Sequence, residues 1–191
     1  MKKISFFTII LIIFIWTLSI SYAFKKSQNN RKFNHYQLEI TKNQIIISKY
    51  IKIIRPELPC ILRNGIAFEI AKQSKQNNLP WKLITAIIKV ESYFNPTAIS
   101  EVSAKGLMQI YTLECKGIIF DESKLFNIRY NIMCGICIFL EKLRIAKGDW
   151  YKAIMLYNGQ GQEAIQYQKK VIITIKEIIQ FNNTYNNLRI I

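Results

Sequence analysis

An all-α fold is what this sequence predicts, and two observations carry the prediction. Apolar residues recur at helical spacing through most of the chain after Cys60, and the runs are separated by residues that stop or start helices. In CILRNGIAFEIAKQSKQNN, Ile61, Ile66, Ile70 and Ala71 form one stripe that Asn77 and Asn78 close. PWKLITAIIKVES follows: Pro80 suits a first helical turn, and Pro96 biases Asn95 out of helix, so this helix ends before Phe94-Asn95-Pro96. A long helix is expected around residues 127–147, another opened by Asp149 as N-cap, and a last one around 162–180. Upstream, the apolar pattern from Tyr36 to Ile54 fits a strand or a helix, and RPELP closes it. At 191 residues the chain has room for one compact domain and short extras.

The first 23 residues stand apart. MKK is a positive start, ISFFTIILIIFIWTLSI is apolar, and Ser21 and Ala23 are the small residues a signal peptidase needs, so residues 1–23 read as a secretory signal. The alternative is an uncleaved inner-membrane anchor through residues 4–20, a run nearly long enough to span a bilayer. Either way the protein is expected outside the cytoplasm, in the periplasm or cell envelope. Residues 24–44, beginning FKKSQNNRKFNH, read as a polar linker, and residues 45–185 as the folded domain.

A net charge of +15, or +13 without Lys2 and Lys3, favours anionic polymers or surfaces. Export turns that preference away from nucleic acid, and neither an Arg-rich helix nor an aromatic-basic sheet motif is present. The alternative is a solvated lysine-rich surface. Cys60, Cys115, Cys134 and Cys137 would meet oxidising conditions after export; three full pairings are open to them, and core cysteines or a single bridge are the favoured reading. The pair in CGIC sits inside a helical pattern, and the only histidine, His35, is far upstream, so no metal site or cofactor is indicated.

The chemistry centres on one carboxylate. Ile84, Ile87 and Ile88 lie on a stripe whose next position is Glu91, so the carboxylate of Glu91 is aimed at the core near the negative end of its helix. Desolvation and the helix dipole both disfavour the anion, which raises the pKa toward the range a general acid needs. The bland alternative is a last-turn glutamate swung into solvent.

The surrounding residues decide between these readings. Glu91, Ser92, Phe94, Asn95, Pro96, Ala98, Ser100, Ala104 and the Gly106-Leu107-Met108-Gln109 step closely resemble the catalytic segment of lytic transglycosylases related to goose-type lysozyme. Asn131, Ile132 and Gly135 resemble that family's next helix, and Tyr157-Asn158-Gly159 its Tyr-Asn motif; YIKIIRPEL and YQKKV extend the resemblance over about residues 45–180. Ser103-Ala104 replaces the usual Gly-Ala, and Leu156 and Gly159-Gln160 replace the usual small residues around Tyr-Asn.

The resemblance implies a lysozyme-like helical domain with a cleft, acting on the glycan strands of peptidoglycan. It also implies cleavage of the β-1,4 bond between N-acetylmuramic acid and N-acetylglucosamine. Glu91 would act first as acid and then as base, closing a 1,6-anhydro ring. Tyr157, on the stripe of Trp150, Ala153 and Ile154, is expected to aim its hydroxyl at Glu91, the alternative being a core tyrosine that finds any acceptor. Gln109 and Asn158 would hold acetamido groups, Met108 would form an apolar wall, and Ser100 would stand near the C6 hydroxyl; core filling, a turn and a loop cap are the alternatives for Met108, Ser100 and Gln109. No motif marks Glu101, Glu114, Asp121 or Glu122 as the second carboxylate of a hydrolase. A muramidase of the same bond and a non-catalytic wall-binding or secretion-assembly factor remain the alternatives. The compact stretch KGIIFDESKLFNIRYN resembles the shorter members associated with secretion systems as much as the large soluble ones, which leaves such a complex as one candidate partner.

Overall fold

The computed structural model describes residues 6–111 and 119–187, with side chains at residue 16 and from residue 18 onward. The start of the signal or anchor segment, residues 1–5, lies outside the described residues, as do Glu114 and Cys115. Contacts divide the chain into two compact units, residues 1–39 and 40–191.

Helix α1 (Phe6–Ile54) supplies the described part of the first unit, where Trp16, Leu18, Ile20, Tyr22, Phe24 and Phe33 are exposed. The stretch read as a linker is therefore helical, and the ambiguous stretch from Tyr36 resolves as helix too. Among the described residues no helix is long and apolar enough to cross a membrane.

The second unit packs the last part of α1 with α2 (Cys60–Gln76), α3 (Trp81–Ser92), α4 (Ile128–Ile145), α5 (Trp150–Asn158) and α6 (Gln162–Asn187). The described residues form isolated bridges but no strand, so the all-α expectation holds for them. Helix α3 packs on α6, α5 on both α4 and α6, and α2 on α3 and α4. The core is largely aliphatic, with Ile47 and Ile51 of α1, Ile66 and Ile70 of α2, Ile84, Ile87 and Ile88 of α3, and Val171 and Ile178 of α6 buried alongside the rings of Phe94 and Phe139. One member of the expected α2 stripe differs: Ile61 is 86% exposed, because it sits in the first turn, before the helix meets its neighbours.

Local chemistry sets the helix ends. Asp149 caps α5 by accepting the amide of Lys152 at 3.0 Å, as expected, and Asn127 caps α4 by accepting that of Tyr130. Pro80 is the N-cap of α3. At the other end of α3 the chain turns left-handed at two successive non-glycine residues, Tyr93 (φ 53°) and Phe94 (φ 60°). Such a conformation costs on the order of 1–3 kcal/mol per residue. Burial of the Phe94 ring, edge-on to Tyr50 with centroids 6.5 Å apart, offsets it.

Candidate active site

Glu91 is the penultimate residue of α3, and the segment that follows builds a floor beneath it. Residues 98–110 fold into a tight double turn: Lys105 bridges to both Ile99 and Ile110, and the Gly106 amide donates to the Ala98 carbonyl at 2.8 Å. Gly106 has φ 76°, and a Cβ there would strike the Asn131 amide and the Leu125 carbonyl, so glycine is required on both counts. Ser92 donates to the Leu107 carbonyl at 2.8 Å and ties the end of α3 to this floor.

Asn131, buried on α4, holds the floor from below. Its side chain accepts the Met108 amide at 2.8 Å and donates to the carbonyls of Lys105 (2.9 Å) and Leu125 (2.8 Å). Three backbone groups that packing hides from water are satisfied by one side chain. Gly135, one turn further along α4, lets the Met108 side chain lie against the helix; a Cβ there would overlap it.

A cleft of about 410 Å³ opens above the floor, lined by Glu91, Ser100, Gln109, Tyr157 and Asn158 together with Val102, Ala104 and Tyr111. Five of the six residues singled out from the sequence thus share one cavity. Met108 does not line it: its side chain is fully buried, so it is core filler whose backbone serves the site. Gln109 and Ser100 line the cleft and also hold the turn, Gln109 donating to the Gly106 carbonyl at 2.9 Å and Ser100 accepting the Ala104 amide at 3.0 Å.

The two tyrosines correct the expected geometry. Tyr157 donates its hydroxyl to the Met108 carbonyl at 3.0 Å, while the hydroxyl that meets Glu91 belongs to Tyr167 of α6, 2.6 Å from Oε1. Their rings stack at 6.5 Å, so Tyr157 acts as a wall behind Tyr167 and as an anchor for the floor. Tyr167 lies on the buried stripe Ala164–Tyr167–Val171 and within the YQKKV segment, so the signal for it was present in the sequence.

Burial pushes the carboxyl of Glu91 up to about 7, against the opposing pull of the Tyr167 hydrogen bond, which favours the anion. Burial, with the Glu91 charge beside it, also raises the Tyr167 phenol well above its ordinary range, so it stays a donor. Among the described residues Glu91 is the only acid lining the cleft. Asp121 is instead drawn to Lys124 and Glu122 to Lys105 at the surface, and Glu101 is exposed. Of the cysteines, Cys60 and Cys137 are exposed thiols and Cys134 is buried.

The profile of the Transglycosylase SLT domain matches residues 68–178, over half of the chain and all the described cleft residues. The chain belongs to the transglycosylase SLT domain family. A curated relative, membrane-bound lytic murein transglycosylase F of Desulfosudis oleivorans, is 36% identical over 117 residues, which are 60% of this chain and 24% of that protein. This SLT chain thus spans about a quarter of the length of the relative it matches. Among solved structures, lytic transglycosylase Slt of Pseudomonas aeruginosa, in an inactive mutant form, superposes with a TM-score of 0.49 at 21% identity, over 61% of this chain and 24% of that one. The 70 kDa soluble lytic transglycosylase of Escherichia coli gives 0.45 at 16% identity, over 78% and 27%.

Proposed function

We propose that this SLT domain is a lytic transglycosylase of murein, cleaving the β-1,4 bond between N-acetylmuramic acid and N-acetylglucosamine and leaving 1,6-anhydro ends. One observation carries the reading: a single carboxyl, held near neutral pKa by burial and gripped at Oε1 by Tyr167, faces a cleft otherwise lined by neutral groups among the described residues. A half-protonated acid at neutral pH is what general acid catalysis requires.

In the first step Glu91 gives its proton to the glycosidic oxygen as the bond from C1 of the muramic residue breaks. In the second, the carboxylate takes the proton of the C6 hydroxyl as that oxygen bonds to C1; the acid is restored and no water is consumed. Tyr167 stabilises the carboxylate that exists between the steps. Asn158 and Gln109 serve the acetamido groups, and Ser100 lies near the C6 hydroxyl. Met108 contributes through its carbonyl, which anchors Tyr157. The name of the membrane-bound relative and the apolar start of the chain support action in the cell envelope.

Mass analysis of products released from purified peptidoglycan tests the reaction. The expected ends are lighter than lysozyme products by one water and resist borohydride reduction. Reducible muramic ends as the main product would replace this reading with a muramidase.

A further inference from the structure

Helices α3 and α5 carry cleft residues at their C-terminal ends. At their N-terminal ends, together with the middle of α6, they enclose a second hollow of about 410 Å³. Leu83 in this hollow and Glu91 in the cleft stand about 12 Å apart along α3. None of the residues lining one hollow lines the other.

The second hollow owes its character to α6. One stripe of that helix, including Tyr167, Val171 and Ile178, is buried in the core. Beside it runs a second apolar stripe, Ile172, Ile175 and Ile179, which enters the groove and faces Trp150 and Tyr151 of α5. One stripe is enough to hold a helix to its own domain. The second leaves Ile179 41% and Tyr151 63% exposed, an apolar surface recessed between helices.

The charged groups in the lining are both cations, Lys82 and Lys176. The ammonium of Lys82 is held 4.9 Å from the Trp81 ring, and Lys176 is exposed. The acids nearest to the groove residues in sequence do not line it: Asp149 caps α5, and Glu177 pairs with Lys89. The hollow is therefore apolar inside and positive at its edge.

We propose that this groove docks an acidic amphipathic helix of another protein. Its apolar side chains would enter between the α6 stripe and the α5 aromatics, and its carboxylates would meet Lys82 and Lys176. Apolar anchors repeating along one face are how a helix fills such a groove, and opposite charge at the rim steers it there. A second copy of this chain is the poorer occupant, because each copy carries +15 and like charges repel. A bilayer is poorer too, since it offers a flat surface and these side chains line a concave hollow.

Fluorescence anisotropy on the full chain with two designed amphipathic helical peptides, one of Leu and Glu and one of Leu and Lys, tests the proposal. The Leu/Glu probe is expected to bind at least roughly 10-fold more tightly than the Leu/Lys probe. A Lys82→Glu/Lys176→Glu double variant, and separately Tyr151→Asp, should each weaken the Leu/Glu probe by roughly 10-fold while murein cleavage and helix content stay as in wild type. Equal affinity for the two probes, or Leu/Glu binding indifferent to both variants, overturns it. So does a defect of these variants confined to anionic phospholipid vesicles, or a dimer in solution that Tyr151→Asp abolishes.

Discussion

At the C-terminal ends of α3 and α5 the protein places a carboxyl, a tyrosine and an amide; at the N-terminal ends of the same helices it places Leu83, Trp150 and Tyr151 with lysines at the edge. The difference follows helix polarity. A helix C-terminus carries partial negative charge, which adds to desolvation in keeping Glu91 protonated, while the N-terminus and the lysines favour an anion. The cleft is also the more tightly tied of the two. Tyr167 grips Glu91, Tyr157 grips the Met108 carbonyl, Ser92 grips the Leu107 carbonyl, and Asn131 satisfies three backbone groups. A buried polar site has to be satisfied throughout, because each orphaned group costs about 1–3 kcal/mol. An apolar groove carries no such demand and can stay open.

Changes in the cleft should therefore stop chemistry without touching the groove. The largest effect is expected from Glu91→Gln, which keeps the side chain's shape and removes its proton: turnover on purified murein should fall by at least about 10,000-fold with wall binding and Leu/Glu-peptide binding retained. Near-wild-type turnover in that variant would falsify the assignment of Glu91.

Next comes the pair of tyrosines. Tyr167→Phe should slow cleavage by roughly 10- to 1,000-fold, and more than Tyr157→Phe does, because it is Tyr167 that donates to the acid, at 2.6 Å, while Tyr157 donates to the Met108 carbonyl. That hydrogen bond lowers the Glu91 pKa, so its loss should move the alkaline limb of the pH–rate profile upward from about 7. The contrast between the two tyrosines collapses if Tyr157→Phe costs more and Tyr167→Phe leaves the limb in place.

Asn131→Ala is expected to cost about 3 kcal/mol, seen as a fall in melting temperature of about 10 °C, since it strands the buried Met108 amide along with two carbonyls. An unchanged melting temperature would mean that the floor holds without it.

The smallest effect is on stability against pH. The Glu91 carboxyl binds its proton more tightly folded, at about 7, than at its ordinary 4.5. Between those values the folded state holds more protons than the unfolded one, so stability falls as pH rises through the window and levels off above it. Glu91→Gln does not titrate, so its melting temperature should gain on wild type from about pH 4.5 to about 7, by about 1–3 kcal/mol in stability. A constant gap across that window would show that the acid titrates normally.

The helical pattern was legible because period 3.6 reports which face of a segment turns inward, and Asp149, Pro80 and Asn77 marked ends where side chains or missing amides do the work locally. The stretch from Tyr36 to Ile54 was not legible, because its isoleucines, in runs and at mixed spacings between polar residues, satisfy either period until neighbours choose. The place of Met108 was not legible for a related reason. Apolar character alone does not separate a cleft wall from the core, and the left-handed turn at Gly106 with the bare face of Gly135 is what carries the side chain inward.

The sequence by itself determined that Glu91 ends an inward-facing stripe, because that follows from spacing within one helix; its pKa rises once packing buries the carboxyl. Only the tertiary structure decided which hydroxyl meets that acid. Tyr157 and Tyr167 both lie on buried stripes, and both stripes were readable. Yet Glu91 and Tyr167 are 76 residues apart, and the packing of α6 on α3 brings that hydroxyl to Oε1 while the floor loop offers its Met108 carbonyl to the other. Periodicity fixes the direction a side chain faces; the partner it finds depends on helices whose mutual placement no local pattern records.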